Sequence, residues 1–314
     1  MNVFLNKIEA ASTIAILGHI RPDGDCVGSC LGLYNYIMDN YEGKLVVVYL
    51  QPIMDKFKFL KGANLIKSTV DDVRYELAIS LDCGDTDRHG EFTDIYSTAK
   101  DTICLDHHRS NQGFGEYYYC DPDASSACEV LYRHICDGII STECAECLYL
   151  GMVHDTGVFK YPATTETTMS IAGKLISKGV RTQYIIDETF YKVSYNQNKL
   201  TGRALLEAKL HLDGKAISTC VTLDMFKEYN TTKSDTDGIV DKLRVTDGVE
   251  VAIFVYQLEE DLYKYSLRSI EKVDVSKISV AFGGGGHIRA AGFELRGKFE
   301  DSLAKILAMV EEQL

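Results

Sequence analysis

The sequence predicts an α/β protein, with an N-terminal doubly wound, mainly parallel sheet followed by a smaller C-terminal α/β domain. Three observations carry this prediction. Continuous apolar runs at 13–17, 45–50, 76–81 and 102–105 have the composition of strands covered on both faces. Helical periodicities at 27–39 and 125–137 intervene, and strands alternating with helices imply a parallel sheet with right-handed crossovers. At 314 residues the chain also exceeds a usual single domain of roughly 100 to 200 residues.

Residues 2–11 place Val3, Phe4, Ile8 and Ala11 at a helical spacing that leads into the strand 13–17. A turn rich in acid follows, and Leu31, Leu33, Tyr34 and Ile37 then mark the packed face of a helix. The run 45–50, bounded by Gly43 and Pro52, is the second strand; 76–81 and 102–105 are the third and fourth. A further apolar helical run, 145–150, ends near Asp155. Residues 162–190 read as helices, with 164–168 as a capping region and Ile171, Leu175 and Ile176 as the packed face. A polar stretch, 195–201, leads into a helix expected over 202–210. The predicted division is therefore 1–194, a linker helix over 195–212, and 213–314. The last part carries strands at 216–223, 249–258 and 263–270 and helices at 238–245 and 300–312.

Hydrophobic residues make up 46% and charged residues 25%, an ordinary globular mix that argues against a largely disordered chain. The net charge of −13 disfavours sliding on long duplex nucleic acid but permits a small basic pocket, so any nucleic substrate should be short. No apolar run approaches the roughly 18 residues of a membrane span, and the first residues lack a cleavable signal. The expectation is a cytoplasmic protein with no membrane partner. Its 10 cysteines fall mostly in apolar or helical stretches, as buried reduced thiols do. Cys144 and Cys147 form a CxxC pair, but a zinc ribbon needs a second pair.

Chemistry concentrates where the predicted strands end. HIRPDGDCVGS at 19–29 presents His19, Asp23 and Asp25 directly after the first strand. A solvated turn would explain Asp23 as a helix cap and Pro22 as a rigid elbow. Three ionisable groups within seven residues, if buried, are instead held together by a divalent cation. Asp82 follows the third strand, Asp106, His107 and His108 follow the fourth, and Asp155 stands at the end of the 145–150 helical run. Ligands of open α/β sheets gather at strand carboxyl ends, so these clusters should converge on one crevice with donors enough for two cations. Carboxylates with a minority of imidazole suit Mn²⁺ or Mg²⁺ better than a thiolate-rich site would. Two such ions roughly 3.5 to 4 Å apart promote in-line attack on phosphorus, which makes phosphoester hydrolysis the predicted reaction. In the C-terminal part, Phe282 is followed by four glycines, His287 and Arg289. Glycines 283–286 could be a flexible linker. Their place between apolar segments instead suggests backbone amides closing around a phosphate or sugar, with a helix beginning beneath.

HIRPDGDCVGS, LDCGD at 81–85, LDHH at 105–108, DTGVF at 155–159 and GGGGHIRAAG at 283–292 together resemble the DHH phosphoesterases. The likeness is to their DHH plus DHHA1 branch of nano-RNases and pAp phosphatases, and it spans nearly the whole chain. Cys83 departs from the pattern, where threonine more often stands. The resemblance implies that His19, Asp23 and Asp82 hold one cation, and Asp25, Asp82, His107 and Asp155 the other, with Asp82 bridging. It also implies that Asp106 orients an imidazole and that His108 contacts the scissile phosphate. Arg268, Gly284, Gly285, Gly286 and His287 would grip the nucleotide, with Arg289 a weaker candidate. The implied cofactors are two divalent ions, Mn²⁺ first and Mg²⁺ or Co²⁺ as alternatives. The implied substrates are short RNA, linear dinucleotides such as pApA, and pAp; a homodimer is compatible with the reading. The alternatives are a hydrolase of cyclic dinucleotides, pyrophosphate or polyphosphate, and a nucleotide sensor without turnover.

Overall fold

The computed structural model describes residues 3–314, so Asn2 of the first expected helix lies outside the described residues. The chain divides into two compact units, one reaching to Lys192 and the other running from Val193 to Leu314. The first unit contains α1 (Val3–Ala10), β1 (Thr13–Leu17), α2 (Gly24–Asn40), β2 (Leu45–Tyr49), β3 (Leu77–Leu81), α3 (Thr93–Ser97), β4 (Asp101–Asp106) and β5 (Tyr117–Cys120). After these come α4 (Ala127–Ile135), α5 (Thr142–Asp155), α6 (Glu166–Ile176) and α7 (Thr182–Ile186).

Its five strands form one sheet in the order β2-β1-β3-β4-β5, every pairing parallel. The strand order reverses at β1, so a crevice opens there beyond the carboxyl ends of β1 and β3. Alternate residues of the central strands enter different cores: Ile14, Ile16, Ile79 and Leu81 pack with α2, α4 and α5, whereas Ala15, Leu17 and Ala78 pack with Tyr49, Phe92 and Tyr96. That double coverage is why these strands read as unbroken apolar runs. β2 departs from the expectation, because it is an edge strand and Leu45 at its start is half exposed. β5, with three successive tyrosines, was not expected as a strand; it closes the other edge.

Helices α2 and α5 approach closely through small residues. A Cβ on Gly28 would lie 2.5 Å from the Cys147 carbonyl oxygen, and one on Gly151 would lie 2.6 Å from Asp25 Oδ1. Ser141 caps α5 by accepting from the Cys144 N–H, and Thr165 and Thr168 form a reciprocal capping box at α6, within the predicted capping region.

The second unit contains α8 (Tyr195–Leu206), β6 (Lys209–His211), β7 (Ala216–Val221), α9 (Leu223–Tyr229), α10 (Ile239–Arg244), β8 (Val251–Gln257) and β9 (Leu262–Ser269). It is completed by α11 (Val275–Ala281), β10 (Gly285–His287), β11 (Ala290–Arg296) and α12 (Phe299–Glu311). The sheet order is β10-β11-β9-β8-β7-β6, with β7 and β8 parallel and the other pairs antiparallel. Val251, Ile253 and Val255 face a core with Ile278, Ile306 and Val310, while Ala252 and Phe254 face Leu200, Ala204, Ile239 and Leu243. The linker helix expected over 195–212 begins at Tyr195, where Ser194 caps it by accepting from the Gln197 N–H at 3.0 Å. It stops at Leu206, and Lys209–His211 is an edge strand.

Among the described residues, no helix is long and apolar enough to cross a membrane. The cysteines are all free; most are buried, Cys120 and Cys220 are half-buried, and Cys136 is exposed.

Two of the helix glycines, Gly28 and Gly173, should respond oppositely to alanine. Gly28→Ala should lower unfolding stability by about 1 to 3 kcal/mol through overpacking against backbone. Gly173, exposed within α6 with open space where a Cβ would go, should gain about 0.5 to 1 kcal/mol on becoming alanine. Urea denaturation of both variants checks this; an unchanged midpoint for Gly28→Ala would refute the tight α2–α5 contact.

Candidate active site

The chain leaves β1 at Leu17 and presents His19 at once. Its Nδ1 lies 2.8 Å from the Ile20 carbonyl oxygen, which turns Nε2 toward Asp23 Oδ1 at 3.7 Å and Asp82 Oδ2 at 3.5 Å. Asp23 caps α2, its Oδ1 accepting from the N–H groups of Asp25 and Cys26 at 3.0 and 3.1 Å. Cap and site are thus the same carboxylate, not competing explanations. Asp25, fully buried in the first turn of α2, accepts from the backbone N–H of Ala127 at 2.6 Å and of Cys128 at 3.0 Å. These donors open α4, so the positive end of a helix fixes a carboxylate that burial would otherwise make costly.

Asp82 lies just beyond β3 with φ +57°, a left-handed conformation unusual for a residue with a Cβ. It is 2% exposed, and its Oδ1 has no hydrogen-bond partner. That oxygen lies 3.5 Å from His107 Nε2 and 3.6 Å from His108 Nδ1, while Oδ2 faces His19. His107 Nε2 in turn lies 3.1 Å from Asp155 Oδ2, at the end of α5, and 3.8 Å from Asp25 Oδ2. This buried nitrogen is also left without a hydrogen-bond partner. The clusters after β1, β3 and β4 and at the end of α5 therefore meet around Asp82.

Protonation follows from that crowding. Burial disfavours charge on His107, but the nearby carboxylates of Asp155, Asp82 and Asp25 outweigh it and push its pKa up to about 12. The same opposition of burial against Asp23 and Asp82 leaves His19 raised far above the usual imidazole range. Burial, reinforced by neighbouring carboxylates, pushes Asp25 well up and raises Asp155. The carboxyls and imidazoles of the site thus compete for protons at close quarters. Orphaned Asp82 Oδ1 and His107 Nε2, set among carboxylate and imidazole donors, fit divalent cations. Three donor groups lie within 4.8 Å of one another internally: Asp82, His107 and His108; Asp25, His107 and Asp155; and His19, Cys26 and Asp82.

Asp106 plays a different part. Its Oδ1 accepts from His108 Nδ1 at 2.8 Å and its Oδ2 from Asn111 Nδ2 at 2.7 Å. Burial acts to raise its pKa, but these hydrogen bonds hold it below the usual carboxylate value. The imidazole it orients is that of His108, which remains partly exposed. Asn111, which also donates to the Cys83 carbonyl oxygen at 2.9 Å, was not identified from sequence. Nor was the α4 entrance, although Ser126, whose Oγ accepts from the Glu129 N–H, carries a cap signal before an apolar helix.

In the second unit, the glycine run follows α11 and leads into the β10–β11 hairpin, so no helix begins beneath it as expected. A Cβ on Gly284 would lie 2.4 Å from the Gly292 carbonyl oxygen, and Gly286 has φ +143°; the glycines let the hairpin close on itself. His287 is exposed and pairs with Ala290, which pairs with Arg268 of β9, so their side chains share one sheet face. Arg268 donates to the Leu267 carbonyl oxygen at 3.1 Å. Arg289 donates to the Val273 carbonyl oxygen at 2.8 Å and so supports a loop.

Comparison with known proteins accords with this arrangement. The DHH family, N-terminal domain, is matched over residues 13–152 and the DHHA1 domain over 213–314. The chain is 28% identical over 312 residues to the bifunctional oligoribonuclease and PAP phosphatase NrnA of Bacillus subtilis, covering 98% of this chain and 96% of that one. It is 31% identical over 296 residues to a probable NrnA of Streptococcus mutans, covering 92% and 91%. The crystal structure of an exopolyphosphatase-related protein from Bacteroides fragilis superposes with a TM-score of 0.82 at 28% identity, covering 99% of this chain and 95% of that one. Matched in both domains and along almost its full length, the chain belongs to the DHH–DHHA1 phosphoesterases and is a hydrolase acting on phosphate esters.

Proposed function

We propose that the protein hydrolyses short oligoribonucleotides and linear dinucleotides such as pApA, and removes the 3′-phosphate of pAp. The observation that carries the reading is Asp82, a buried carboxylate between His19 and His107 with an oxygen left unpartnered. The names of the NrnA relatives support the substrate class. His19, Asp23 and Asp82 would hold one divalent cation and Asp25, Asp82, His107 and Asp155 a second, with Mn²⁺ the first choice. When bound, such ions supply Lewis acidity for attack of water on phosphorus.

The remaining work belongs to the chain. Asp106 anchors Nδ1–H of His108, whose pKa it raises, and so orients the ring to offer Nε2–H to a phosphate oxygen. Asn111 fixes Asp106 in turn. In the second unit, Arg268 and His287 share a face suited to a nucleotide's phosphate and sugar. The net charge of −13 repels each phosphate a longer strand would bring along, which favours substrates a few nucleotides long. Cyclic dinucleotides and polyphosphate are the competing substrates, and a non-hydrolysing sensor the competing role.

Parallel assays with Mn²⁺ on labelled RNA from dimers to 24-mers, pAp, pApA, cyclic dinucleotides and polyphosphate test the substrate class; equal rates on 24-mers and 3-mers would refute it. EDTA should abolish turnover, and Asp82→Ala should retain less than about a tenth of the wild-type rate, since both cations lose a ligand. Asp106→Asn should fold normally and lose about 10 to 100-fold in kcat, while melting of the metal-free protein barely moves. His287→Ala and Arg268→Ala should raise KM for dinucleotides yet spare bis-p-nitrophenyl phosphate; equal losses on both would place these residues in the fold or the chemistry instead.

A further inference from the structure

One donor beside the site is not absorbed by the proposed mechanism. Cys26 lies in the first turn of α2, is fully buried, and brings its Sγ within 4.8 Å of donor atoms of both His19 and Asp82. Its position is built in. The His19 backbone N–H donates to Sγ at 3.2 Å, and a Cβ on Gly18 would lie only 2.3 Å from the sulfur, so only glycine there leaves the thiol room. Asp82, only 2% exposed, turns its Oδ2 to the same place, 3.5 Å from His19 Nε2, so a buried carboxylate and an imidazole face the thiol.

We propose that the first cation position has a second, softer ligand set, His19, Cys26 and Asp82, which captures thiophilic divalent ions such as Zn²⁺. This rests on the two-cation reading above and gives one of its positions a selectivity of its own. Nitrogen, sulfur and one carboxylate oxygen make a donor set that zinc accepts readily, whereas Mn²⁺ favours oxygen. Asp23, the oxygen alternative to Cys26, caps α2 through its Oδ1. An ion turning from Asp23 to Cys26 would therefore leave the helix cap undisturbed. Binding forms a metal–sulfur bond while the thiol proton passes to water, with no electron transferred. Because Asp82 belongs to both sets, an ion held through Cys26 occupies a carboxylate that the hydrolytic arrangement requires. Zinc should thus inhibit the Mn²⁺-supported enzyme by occupying its site.

The test uses the full chain, freed of metal and reloaded. With Co²⁺ the wild type should show near-ultraviolet sulfur-to-cobalt charge-transfer absorption that Cys26→Ser loses and Cys136→Ser, altered at an exposed thiol, keeps. X-ray absorption of the Zn²⁺-loaded wild type should show a sulfur neighbour at about 2.3 Å, a measurement that needs no variant to fold. The affinity for Zn²⁺ relative to Mn²⁺ should fall at least about tenfold in Cys26→Ser, reflecting the lost soft donor. A shell of oxygen and nitrogen alone, or an absorption band that survives Cys26→Ser, would overturn the inference. Mn²⁺-dependent hydrolysis by that same preparation would then show the two-cation reading standing without it. A protein binding neither Mn²⁺ nor Zn²⁺ would overturn both.

Discussion

The first unit is organised around an electrostatic imbalance. Asp23, Asp25, Asp82, Asp106 and Asp155 converge at the carboxyl ends of three adjacent strands, and two of them, Asp25 and Asp106, are fully buried. Among the described residues, the ion-pair partners the structure gives these carboxylates are the imidazoles His19, His107 and His108. Neutral N–H donors do the holding: the entrance of α4 for Asp25, the first turn of α2 for Asp23, and Asn111 for Asp106. Dipoles fix a carboxylate without cancelling its charge, whereas an arginine or lysine would neutralise it. Such a site has, among the described residues, no lysine or arginine paired with its carboxylates, and those carboxylates raise the pKa of His19 and His107 against the effect of burial.

That imbalance persists because the scaffold cannot relax around it. Asp25 and Asp155 belong to different helices, α2 and α5, whose separation is set by the glycine contact between them. A side chain on Gly151 would strike Asp25 Oδ1 itself, so helix packing and ligand placement use the same atoms. The ends of β1 and β3 are likewise held in register by parallel pairing from Ile14–Leu77 to Leu17–Ser80, which sets the spacing from which His19 and Asp82 project. Misplacing either element by an ångström would separate donors that now lie 3.1 to 3.8 Å apart.

Much of this was legible in the sequence because it depends on local rules. Apolar runs that stop at an acid mark strands whose ends carry chemistry, and the convergence of His19, Asp82, His107 and Asp155 followed once the sheet was taken as parallel. What escaped depends on neighbours that a linear pattern cannot name. Leu45–Tyr49 reads as a doubly covered strand, but its place at the sheet edge exposes its first half. The glycine run looks like a phosphate loop, yet its missing side chains are used where β10 folds onto β11. Asn111 reads as a loop polar residue until Asp106 is seen 2.7 Å away. The linker helix expected over 195–212 stops at Leu206, because the residues after it pair as the edge strand Lys209–His211.

The cysteine content links composition to the site more closely than reduced thiols alone suggest. Where α2, α4 and α5 meet, glycines bring backbones together and leave spaces too small for leucine. Cys128 Sγ fills one, 2.2 Å from where a Gly151 Cβ would stand and 3.2 Å from the Gly28 equivalent. Cys26 and Cys30 fill another under Gly18, and Cys147 receives the Asn35 amide at 3.6 Å. Small, polarizable sulfur suits such gaps. Packing thus explains why thiols line the interior of the site, and at Cys26 that filler lies within 4.8 Å of donor atoms of His19 and Asp82. A side chain whose volume fits the gap under Gly18 thereby brings a soft donor to a centre otherwise made of oxygen and nitrogen, so packing and chemistry meet in one sulfur atom.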